Sequence, residues 1–512
     1  MSLILPTILL LPLFGAIAVA LIPRSYGFLI RVVALATTFA SMLLAFLMFA
    51  KFVPGKEGYQ FVASYEWVRA LGITLKVGVD GLNVGLVFMG AIVAFAATSM
   101  SYTIKEREKE YYLLLLVMIT GILGAFASLD IFFFFFFHEL ALIPTFIMIG
   151  VWGRGEDKNY ATFNITLYLT LGALIALIGL IALYVQTGAK SFDIAAITEH
   201  VKNNPIPLRA QNWIFPLLLF GFGILVSLWP FHTWAPLGYG AAPTATAMLH
   251  AGVLKKFGLY GLLRIAIPLM PEATRAWAHV IAYLCLGNIV YVGLVAIRQR
   301  QLNLLIGNSS VAHMGLIFLG IASLTVVGVT GAVVIMIAHG LLAALSFAIN
   351  GHLYHQTQTQ NMDQMGGLMK RMPFIGVVVV AAMMAGCGLP GFANFVGEVM
   401  TLFASWKQFH VVTIFAVWGA LVIGAVYMLR AIRNIVHGPM PEHWERVRDA
   451  QGILRKAPFI FLGVTLLVFG VCPSLLTDKI KASVEPIVAA VNPPAKAVAK
   501  TESAPVASVA HR

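Results

Sequence analysis

The sequence predicts an all-α polytopic membrane protein of about 14 transmembrane helices. Sixty per cent of its residues are hydrophobic and 11% are charged, whereas soluble domains usually carry about 25% charged residues. Runs of roughly twenty apolar residues recur along the chain, the length that a helix needs to cross about 30 Å of hydrocarbon. These runs are continuous rather than alternating. They therefore predict spanning helices and not the strands of a barrel.

Charge and cysteine content exclude several other classes of protein. The net charge of +13 does not indicate nucleic-acid binding, because the basic residues lie in short loops between apolar runs. Cys285, Cys387 and Cys472 are far apart in apolar sequence, so no disulfide framework, metal-ligand or iron–sulfur spacing is expected.

The positive-inside rule predicts the topology in a bacterial inner membrane. The apolar stretch that follows Met1 has no basic region before it, so it is predicted to be a first span and not a signal peptide. Lys and Arg are more frequent in the loops on the side opposite the N-terminus, including a cluster between Arg430 and Lys456. Both termini are therefore predicted to lie on the periplasmic side.

Prolines and glycines predict two broken helices. Pro230 and Pro236 interrupt the seventh span, and Pro390 lies between glycines in the twelfth. Paired broken helices indicate two inverted five-helix repeats. We therefore divide the chain into five parts: helices 1–3 (1–110), helices 4–8 (111–270), helices 9–13 (271–434), a cytoplasmic loop with helix 14 (435–478), and a flexible tail without helical period (479–512).

Two glutamates fall within predicted spans. Glu139 follows six phenylalanines and precedes Pro144, and Glu398 follows the broken glycine–proline element. A carboxylate inside a membrane is costly and is usually functional. For Glu139, a position at the membrane interface is the structural alternative; for Glu398, no predicted helix boundary offers one.

Lys255 and Lys256 lie near the middle of the eighth span, and Arg264 lies two turns further on, within reach of the interface. A buried lysine can release its proton whereas arginine effectively cannot, so lysine suits a proton path. Adjacent helical residues point about 100° apart, so both lysines cannot face one channel. For one of them, snorkelling toward the interface is the structural alternative.

The later spans are rich in histidine, which titrates near neutral pH. Each histidine is either a hydrogen-bonded core residue or a proton carrier. The candidates are His138, His232, His250, His313, His339, His352 and His355. Asp80 at the start of the third span is interpreted as an interfacial turn or cap.

Five motifs resemble the M-type antiporter-like membrane subunit of respiratory complex I, which is homologous to subunits of Mrp-type cation/proton antiporters. They are FHELALIPTF, WPFHTWAP, APTATAMLHAGVLKKFGLYGLLR, SSVAHMG and GLPGFANFVGE, and the resemblance runs in order from Asp80 to Phe403.

The resemblance implies roles for individual residues. Glu139 matches the fifth-helix glutamate and Lys256 the central lysine of the eighth helix. Glu398 matches the twelfth-helix glutamate at the exit path, and His313 and His339 match the histidines that link them. Lys255, His232 and His250 complete the candidate proton path.

One departure from the family pattern concerns the seventh helix. Leu225 stands where the family has a lysine that pairs with the fifth-helix glutamate, and the usual aspartate after the proline is missing, because Ala235, Pro236 and Leu237 stand there. We hypothesise rewired or weakened input coupling, with Lys255, His232 or His138 as substitute partners for Glu139.

The resemblance implies a proton-translocating subunit that binds no cofactor itself. NADH, FMN, iron–sulfur clusters and quinone are expected on partner subunits, and other antiporter-like membrane-arm subunits are expected as neighbours. The alternatives are a subunit of an Mrp-type cation/proton antiporter or of another ion-coupled membrane complex, and a membrane spacer that has lost its path.

Overall fold

The computed structural model describes residues 3–441, 444 and 446–492. Its helices, in chain order, are α1 (Ile4–Leu21), α2 (Gly27–Lys51), α3 (Val84–Met100), α4 (Glu108–Ala127), α5 (Ile131–Trp152), α6 (Lys158–Thr187), α7 (Ile194–Asn203), α8 (Leu208–Val226), α9 (Trp234–Ala241), α10 (Thr244–Gly252), α11 (Phe257–Gly261), α12 (Ile267–Leu269), α13 (Pro271–Leu286), α14 (Val292–Arg298), α15 (Leu302–Ala322), α16 (Val326–Thr357), α17 (Pro373–Gly386), α18 (Ala393–Trp406), α19 (His410–Val417), α20 (Gly424–Val436), α21 (Gly452–Val471) and α22 (Ser474–Val491). The strands are β1 (Gln60–Val68) and β2 (Ile73–Val79).

Twelve helical stretches in the described residues are long and apolar enough to cross a membrane. Helices α13 and α14 form one of them, joined by a π-helical turn, and α19 and α20 form another in the same way. The apolar stretches at α10–α12 and α17–α18 are divided into shorter helices and fall outside this group. The helical membrane fold is confirmed, whereas the number of about 14 helices and the inverted repeats stay predictions.

The two breaks expected from proline are present. Helix α8 ends at Val226 and α9 begins at Trp234, and α17 and α18 are separated in the same way around Pro390. At the first break, the buried Asn288 side chain accepts a hydrogen bond from the Trp229 N–H at 2.8 Å and donates to the Ser227 carbonyl at 2.9 Å. Asn288 thus satisfies backbone groups that the broken helix leaves without helical partners.

A third break lies in the eighth span, which the sequence predicts to be continuous. Helix α10 ends at Gly252, and a 3₁₀ turn (Leu254–Lys256) precedes α11. No proline occurs between residues 244 and 267, so the sequence carries no strong breaker there. The prediction of one continuous helix was wrong, and both lysines lie in the turn.

Two further elements differ from the sequence prediction. Strands β1 and β2 form an antiparallel hairpin, with Ser64 opposite Lys76, in a region predicted only as a loop and the start of a span. Helix α22 continues to Val491, so the expectation that the chain loses helical structure after Asp478 is wrong for residues 479–491. The remainder of the predicted tail, 493–512, lies outside the described residues.

Helices α15 and α16 lie at the centre of the bundle, and every residue in the most apolar stretch of α16 is buried. Helix α16 packs against α10, α15 and α18, whereas α1, α2, α6 and α21 lie at the periphery, with 28–39% of their most apolar stretches buried. The candidate proton carriers of the later spans are therefore on the innermost helices.

Candidate functional site

Lys256 and His339 are in direct contact at the centre of the molecule. The Lys256 Nζ lies 2.9 Å from Nδ1 of His339 on α16, and it donates to the Ala251 carbonyl at 2.6 Å. Helices α10 and α16 approach so closely here that a Cβ atom on Gly252 would lie 2.9 Å from the Gly340 carbonyl oxygen. The two glycines therefore allow the lysine to reach the histidine.

His313 on α15 continues the contacts from His339. The two imidazole rings lie 5.3 Å apart between centroids. Nδ1 of His313 lies 2.8 Å from the Ser309 carbonyl, which can only accept, so this nitrogen carries a proton. In the neutral ring, Nε2 is then the unprotonated nitrogen and can receive a proton.

Glu398 on α18 ends this series of residues. Its Oε1 lies 3.7 Å from Nε2 of His313, and its side chain is only 4% exposed. A cavity of about 10 Å³ lined by His313, Glu398 and Tyr427 has room for about one water molecule, which would bridge the distance with hydrogen bonds. A Cβ atom on Gly397 would lie 2.9 Å from the Gly331 carbonyl, so α16 and α18 also approach closely beside Glu398.

Lys255 is directed to a different group of side chains. Its Nζ donates to the Ser310 hydroxyl at 3.3 Å and lies 5.5 Å from the centre of the Tyr239 ring. The Tyr239 hydroxyl is 3.3 Å from Nδ1 of His250. Both lysines are buried, so neither adopts the structural alternative of snorkelling to the interface. The 3₁₀ turn directs them to separate neighbours.

The four residues Lys256, His339, His313 and Glu398 form what we call the midplane chain. The first three lie near the middle of the α10–α12 stretch, α16 and α15, respectively. Glu398 follows the break between α17 and α18. The midplane chain thus crosses from helix to helix within the interior of the bundle and does not run along a single helix.

Glu139 is not part of the midplane chain. Its Oε1 lies 3.3 Å from Nδ1 of His138, and its side chain is 33% exposed on the outer side of α5. His138 is buried and stacks on Phe257 at 4.1 Å between centroids, next to Lys256. Of the three substitutes suggested for the missing lysine, His138 is the one in contact with Glu139. Leu225 is buried on α8.

The other histidines lie apart from the midplane chain. His232, in the break after α8, contacts the Pro230 carbonyl at 3.2 Å and the ring of Tyr291. His352 and His355 lie near the C-terminal end of α16, and His355 packs beside Tyr102. Thirteen residues of helix separate His339 from His352, which is about 20 Å.

Asp80 and the buried Arg264 form an ion pair that the sequence interpretation missed. Two guanidinium nitrogens of Arg264 donate to Asp80 at 2.6 and 2.7 Å. Asp80 also accepts from the Leu82 N–H at 3.0 Å, so its interpretation as a turn-capping residue was correct. Tyr59 lies beside Arg264, and burial raises the pKa of its hydroxyl. Arg264 is therefore paired inside the protein and does not reach solvent.

Sequence reasoning also missed the hydroxyl groups of the site. The Ser310 hydroxyl accepts a hydrogen bond from Lys255, and the Ser309 carbonyl accepts one from His313. The Tyr427 hydroxyl donates to the Ser309 hydroxyl at 3.3 Å. The sequence signal for these hydroxyl groups was Ser309 and Ser310, which lie four and three residues before His313 and therefore one helical turn away on the same face.

No group of three or more His, Cys, Asp or Glu side chains that could hold a metal ion occurs within residues 3–441, 444 and 446–492. The arrangement instead offers alternating proton donors and acceptors in an apolar bundle. Such an arrangement can transfer protons, because each histidine can receive a proton on one side and release it on the other.

Comparisons with known proteins identify relatives over nearly the whole chain. The family described as "NADH:quinone oxidoreductase/Mrp antiporter, TM" matches residues 128–424. NADH-quinone oxidoreductase subunit M of Rickettsia prowazekii is 34% identical over 458 residues, covering 88% of this chain and 91% of that protein. The subunit M of Rhodobacter capsulatus is 33% identical over 497 residues, covering 95% and 96%.

Solved structures share the fold. A chain of respiratory complex I from Thermus thermophilus with bound NADH is similar with a TM-score of 0.86 and 25% identity, covering 95% of this chain and 99% of that one. A chain of the Mrp complex from Dietzia sp. DQ12-45-1b is similar in fold, with a TM-score of 0.80 and 19% identity over 96% and 99% of the two chains. The resemblance noted in the sequence motifs is confirmed.

Proposed function

Because this chain belongs to the NADH:quinone oxidoreductase/Mrp antiporter transmembrane family, we propose that it moves protons through its midplane chain, Lys256–His339–His313–Glu398. It is an antiporter-like, proton-translocating subunit of a complex I-type NADH:quinone oxidoreductase, and its partners are other membrane-arm subunits of that complex.

A single observation supports the proposed path most strongly. Four ionisable side chains from four separate helical segments lie next to one another in a row. At one end, Nζ of Lys256 lies 2.9 Å from Nδ1 of His339, and at the other end Nε2 of His313 lies 3.7 Å from Oε1 of Glu398. Buried ionisable groups in a membrane are costly, and their alignment inside the bundle is typical of proton relays. A membrane spacer would gain nothing from this arrangement.

The contacts suggest the order of proton transfer. Nζ of Lys256 lies 2.9 Å from Nδ1 of His339, so this nitrogen, in the tautomer that leaves it unprotonated, would receive the lysine proton. The ring of His313 lies next along the path, and its protonated form would be stabilised by the Glu398 carboxylate. A change of charge near Lys256 would shift its proton affinity and start the transfer, because electrostatic interactions are strong at low dielectric.

The energy for translocation comes from outside this chain in the proposed mechanism. Moving one charge against 100 mV costs about 2.3 kcal/mol. We place NADH, FMN, iron–sulfur clusters and quinone on partner subunits, and we assign this chain a non-redox role in the enzyme complex. Quinone reduction there would change the charge at the input side of the midplane chain.

We place the chain in a bacterial inner membrane with both termini in the periplasm. The proposal rests on the excess of Lys and Arg in the loops opposite the N-terminus, including the cluster between Arg430 and Lys456. In this orientation the proton would be released on the side of α22, which follows α21 on the side of the termini.

The test is the Glu398→Gln variant in the intact complex, reconstituted in vesicles. The amide keeps the shape but cannot be ionised, so we expect NADH-driven proton uptake to fall at least about tenfold. NADH reduction of an artificial electron acceptor should be unchanged, because this chain holds no redox group in the proposal.

Glu485→Gln is the matched control, because Glu485 is an exposed glutamate on α22 paired with Lys481. Proton uptake at the wild-type rate in Glu398→Gln would remove Glu398 from the path. Co-purifying chains, identified after mild detergent extraction, test the assembly: quinone-reductase modules support it, and antiporter subunits alone would contradict it.

A further inference from the structure

The 3₁₀ turn between α10 and α11 places two consecutive lysines in the interior of the bundle. Lys255 is 1% exposed and Lys256 is fully buried. Their ammonium groups contact neutral partners: Lys256 lies against His339, and Lys255 lies against the Ser310 hydroxyl and the Tyr239 ring. A buried cation without a counter-ion is costly, and two neighbouring cations also repel each other. The turn therefore favours a single positive charge, on one lysine or on the other.

The surroundings of Lys255 favour the charged form of this lysine. Its Nζ donates to the Ser310 hydroxyl at 3.3 Å and lies 5.5 Å from the centre of the Tyr239 ring, whose face attracts a cation. The Tyr239 hydroxyl lies 3.3 Å from Nδ1 of His250, and this contact fixes the tyrosine on its far side. We call Tyr239, Ser310 and His250 the Lys255 site.

His250 brings an unpartnered nitrogen to the Lys255 site. Its side chain is 2% exposed, and Nε2 has no hydrogen-bond partner in the part of the chain that the structure describes. When the Nδ1–H group donates to Tyr239, Nε2 is unprotonated and can take up a proton. His138, Lys255 and Lys256 are the groups whose charges act on His250. The Lys255 site therefore contains a proton acceptor that the midplane chain does not use.

We propose that Lys255 is a second proton-binding residue, and that its protonation in the Lys255 site drives the proton of Lys256 onto His339. The transfer moves one proton and changes no other bond: Nζ of Lys256 loses the proton, and Nδ1 of His339, in the tautomer that leaves it unprotonated, gains it. This inference rests on the proposed proton path, and it adds the residue whose charge starts the transfer.

The Lys255 site supplies a charge that α8 does not carry. The resemblance implies a lysine at the position of Leu225, which is buried and apolar. Lys255 does not replace that lysine as a partner of Glu139, because the Glu139 carboxylate contacts His138 and the Lys255 ammonium is directed to Ser310. It acts instead on Lys256, from the same turn of the chain. A change of charge at Lys255 therefore reaches the midplane chain without a contact to α5.

The titratable groups that face the two lysines are bases and a tyrosine. They are His138 on α5, His232 in the break after α8, Tyr239 on α9, His250 on α10, His313 on α15 and His339 on α16. Helices α3 and α8 also pack here; α3 has no ionisable side chain, and Arg209 of α8 is in its first turn. Each histidine becomes positive when it is protonated, so these groups cannot neutralise a second lysine charge.

The first experiment compares a permanent charge with no charge at residue 255. Arginine keeps the positive charge but cannot release its proton, so Lys256 beside it cannot be recharged. We expect Lys255→Arg to reduce NADH-driven proton uptake by the intact complex in vesicles at least about tenfold, whereas Lys255→Met retains at least roughly a third. A lysine that only fills space or holds a fixed charge would give the opposite order, because arginine is then the more conservative change.

Lys481→Arg is the matched control, because it makes the same substitution at an exposed lysine of α22 and should leave uptake unchanged. All rates are compared at equal amounts of assembled complex, measured on native gels. Uptake at the wild-type rate by assembled Lys255→Arg would overturn the proposal.

The second experiment measures the pH dependence of uptake by Lys255→Met, and it decides the question even when Lys255→Arg does not assemble. Without a charge at residue 255, Lys256 is no longer repelled and holds its proton to higher pH. We expect the alkaline limb of the pH profile to move upward by about one unit, which is a tenfold change in proton affinity. An alkaline limb at the wild-type position would show that Lys255 does not act on Lys256.

Failure of this inference differs from failure of the proposed function. If protons do not use the midplane chain, Glu398→Gln and Lys256→Met also take up protons at the wild-type rate. If only the role of Lys255 is wrong, those two variants lose uptake, whereas assembled Lys255→Arg behaves as the wild type and Lys255→Met keeps the wild-type pH profile.

Discussion

Two adjacent lysines at the centre of a membrane protein are the most informative feature at the residue scale. Both are buried, yet their ammonium groups contact different partners: His339 for Lys256, and Ser310 with the Tyr239 ring for Lys255. A histidine can accept and pass on a proton, whereas a serine hydroxyl is a much poorer base. The two lysines should therefore contribute unequally to proton transfer.

We expect Lys256→Met to reduce proton translocation by the intact complex at least about tenfold, because it removes the donor to His339. Lys255→Met should retain at least roughly a third of wild-type translocation, since Lys255 lies outside the midplane chain. The measurement is NADH-driven proton uptake in vesicles at equal complex content. The two variants remove the same charge and are each other's control; equal losses would show that the contact with His339 does not distinguish the lysines.

The His313 contacts show how a backbone group orients a candidate proton carrier. The Ser309 carbonyl accepts a hydrogen bond from the Nδ1–H group, and Nε2 is directed at Glu398. One helical turn separates Ser309 from His313, so the orientation is local to α15. The direction of the ring is therefore set within the helix, and only the identity of its partner depends on how α15 and α18 pack.

At the element scale, the broken helix after α8 depends on Asn288. Its amide donates to the Ser227 and Val311 carbonyls and its oxygen accepts from the Trp229 N–H. A buried polar group that loses its partner costs about 1–3 kcal/mol. The prolines interrupt the helix, and Asn288 supplies hydrogen-bond partners to the backbone groups at the break.

Asn288→Leu should destabilise the protein by about 2 kcal/mol or more, because backbone groups at the break lose their partners. Thermal unfolding of the purified protein measures the effect. Asn203→Leu is the control, since Asn203 is exposed at the end of α7 and should change stability by less than about 0.5 kcal/mol. Similar unfolding temperatures for the two variants would contradict this role of Asn288.

The ion pair between Asp80 and Arg264 connects the start of α3 to the end of the eighth span. Arg264 is buried and the Asp80 side chain is only 15% exposed, so removal of one partner leaves a poorly solvated charge without its counter-ion. Arg264→Met alone should cost about 3–5 kcal/mol of stability. Asp80→Asn combined with Arg264→Met should cost less than Arg264→Met alone, because Asn can still accept from the Leu82 N–H while the stranded charge is gone.

A double-mutant cycle on the unfolding free energy measures this coupling. Additive losses in the double variant would show that Asp80 and Arg264 act independently. The comparison needs no assumption about the desolvation of either group, since each variant is compared with the others in the same protein.

At the scale of the whole molecule, the burial of helices separates the proposed proton path from the exposed surface of the bundle. The midplane chain lies on inner helices, whereas α1, α2, α6 and α21 expose apolar side chains. Glu139 is the exception, as a carboxylate on an exposed face. The side of the membrane on which each loop lies is a second, testable property of the whole fold.

The proposed topology predicts which loops a membrane-impermeant maleimide can label in intact cells. Cys472 is exposed and is first changed to Ser. We expect Glu57→Cys to be labelled from the periplasm, because its loop follows α2 on the side of the termini. Glu156→Cys, between α5 and α6, should be labelled only after the membrane is opened. The reverse pattern would invert the orientation of the protein.

Much of the fold could be predicted because its signals are local. Apolar runs of spanning length and prolines within them predict helices and breaks without knowledge of their neighbours. The break before Lys255 could not be predicted, since it has no proline and is accompanied by the packing of Gly252 against Gly340. Helix α22 was missed for a similar reason, because it is stabilised by docking, with Ser483 accepting from the Gly81 N–H at 2.8 Å.

The sequence by itself determined the class of protein, the positions of the spans and the identity of the ionisable residues, because hydrophobicity and charge are properties of the residues themselves. Only the tertiary structure decided that Lys256, His339, His313 and Glu398 meet, that Lys255 turns to Ser310, and that Glu139 faces outward. Contacts between distant segments depend on how closely helices approach and how they are rotated, and no single segment contains that information.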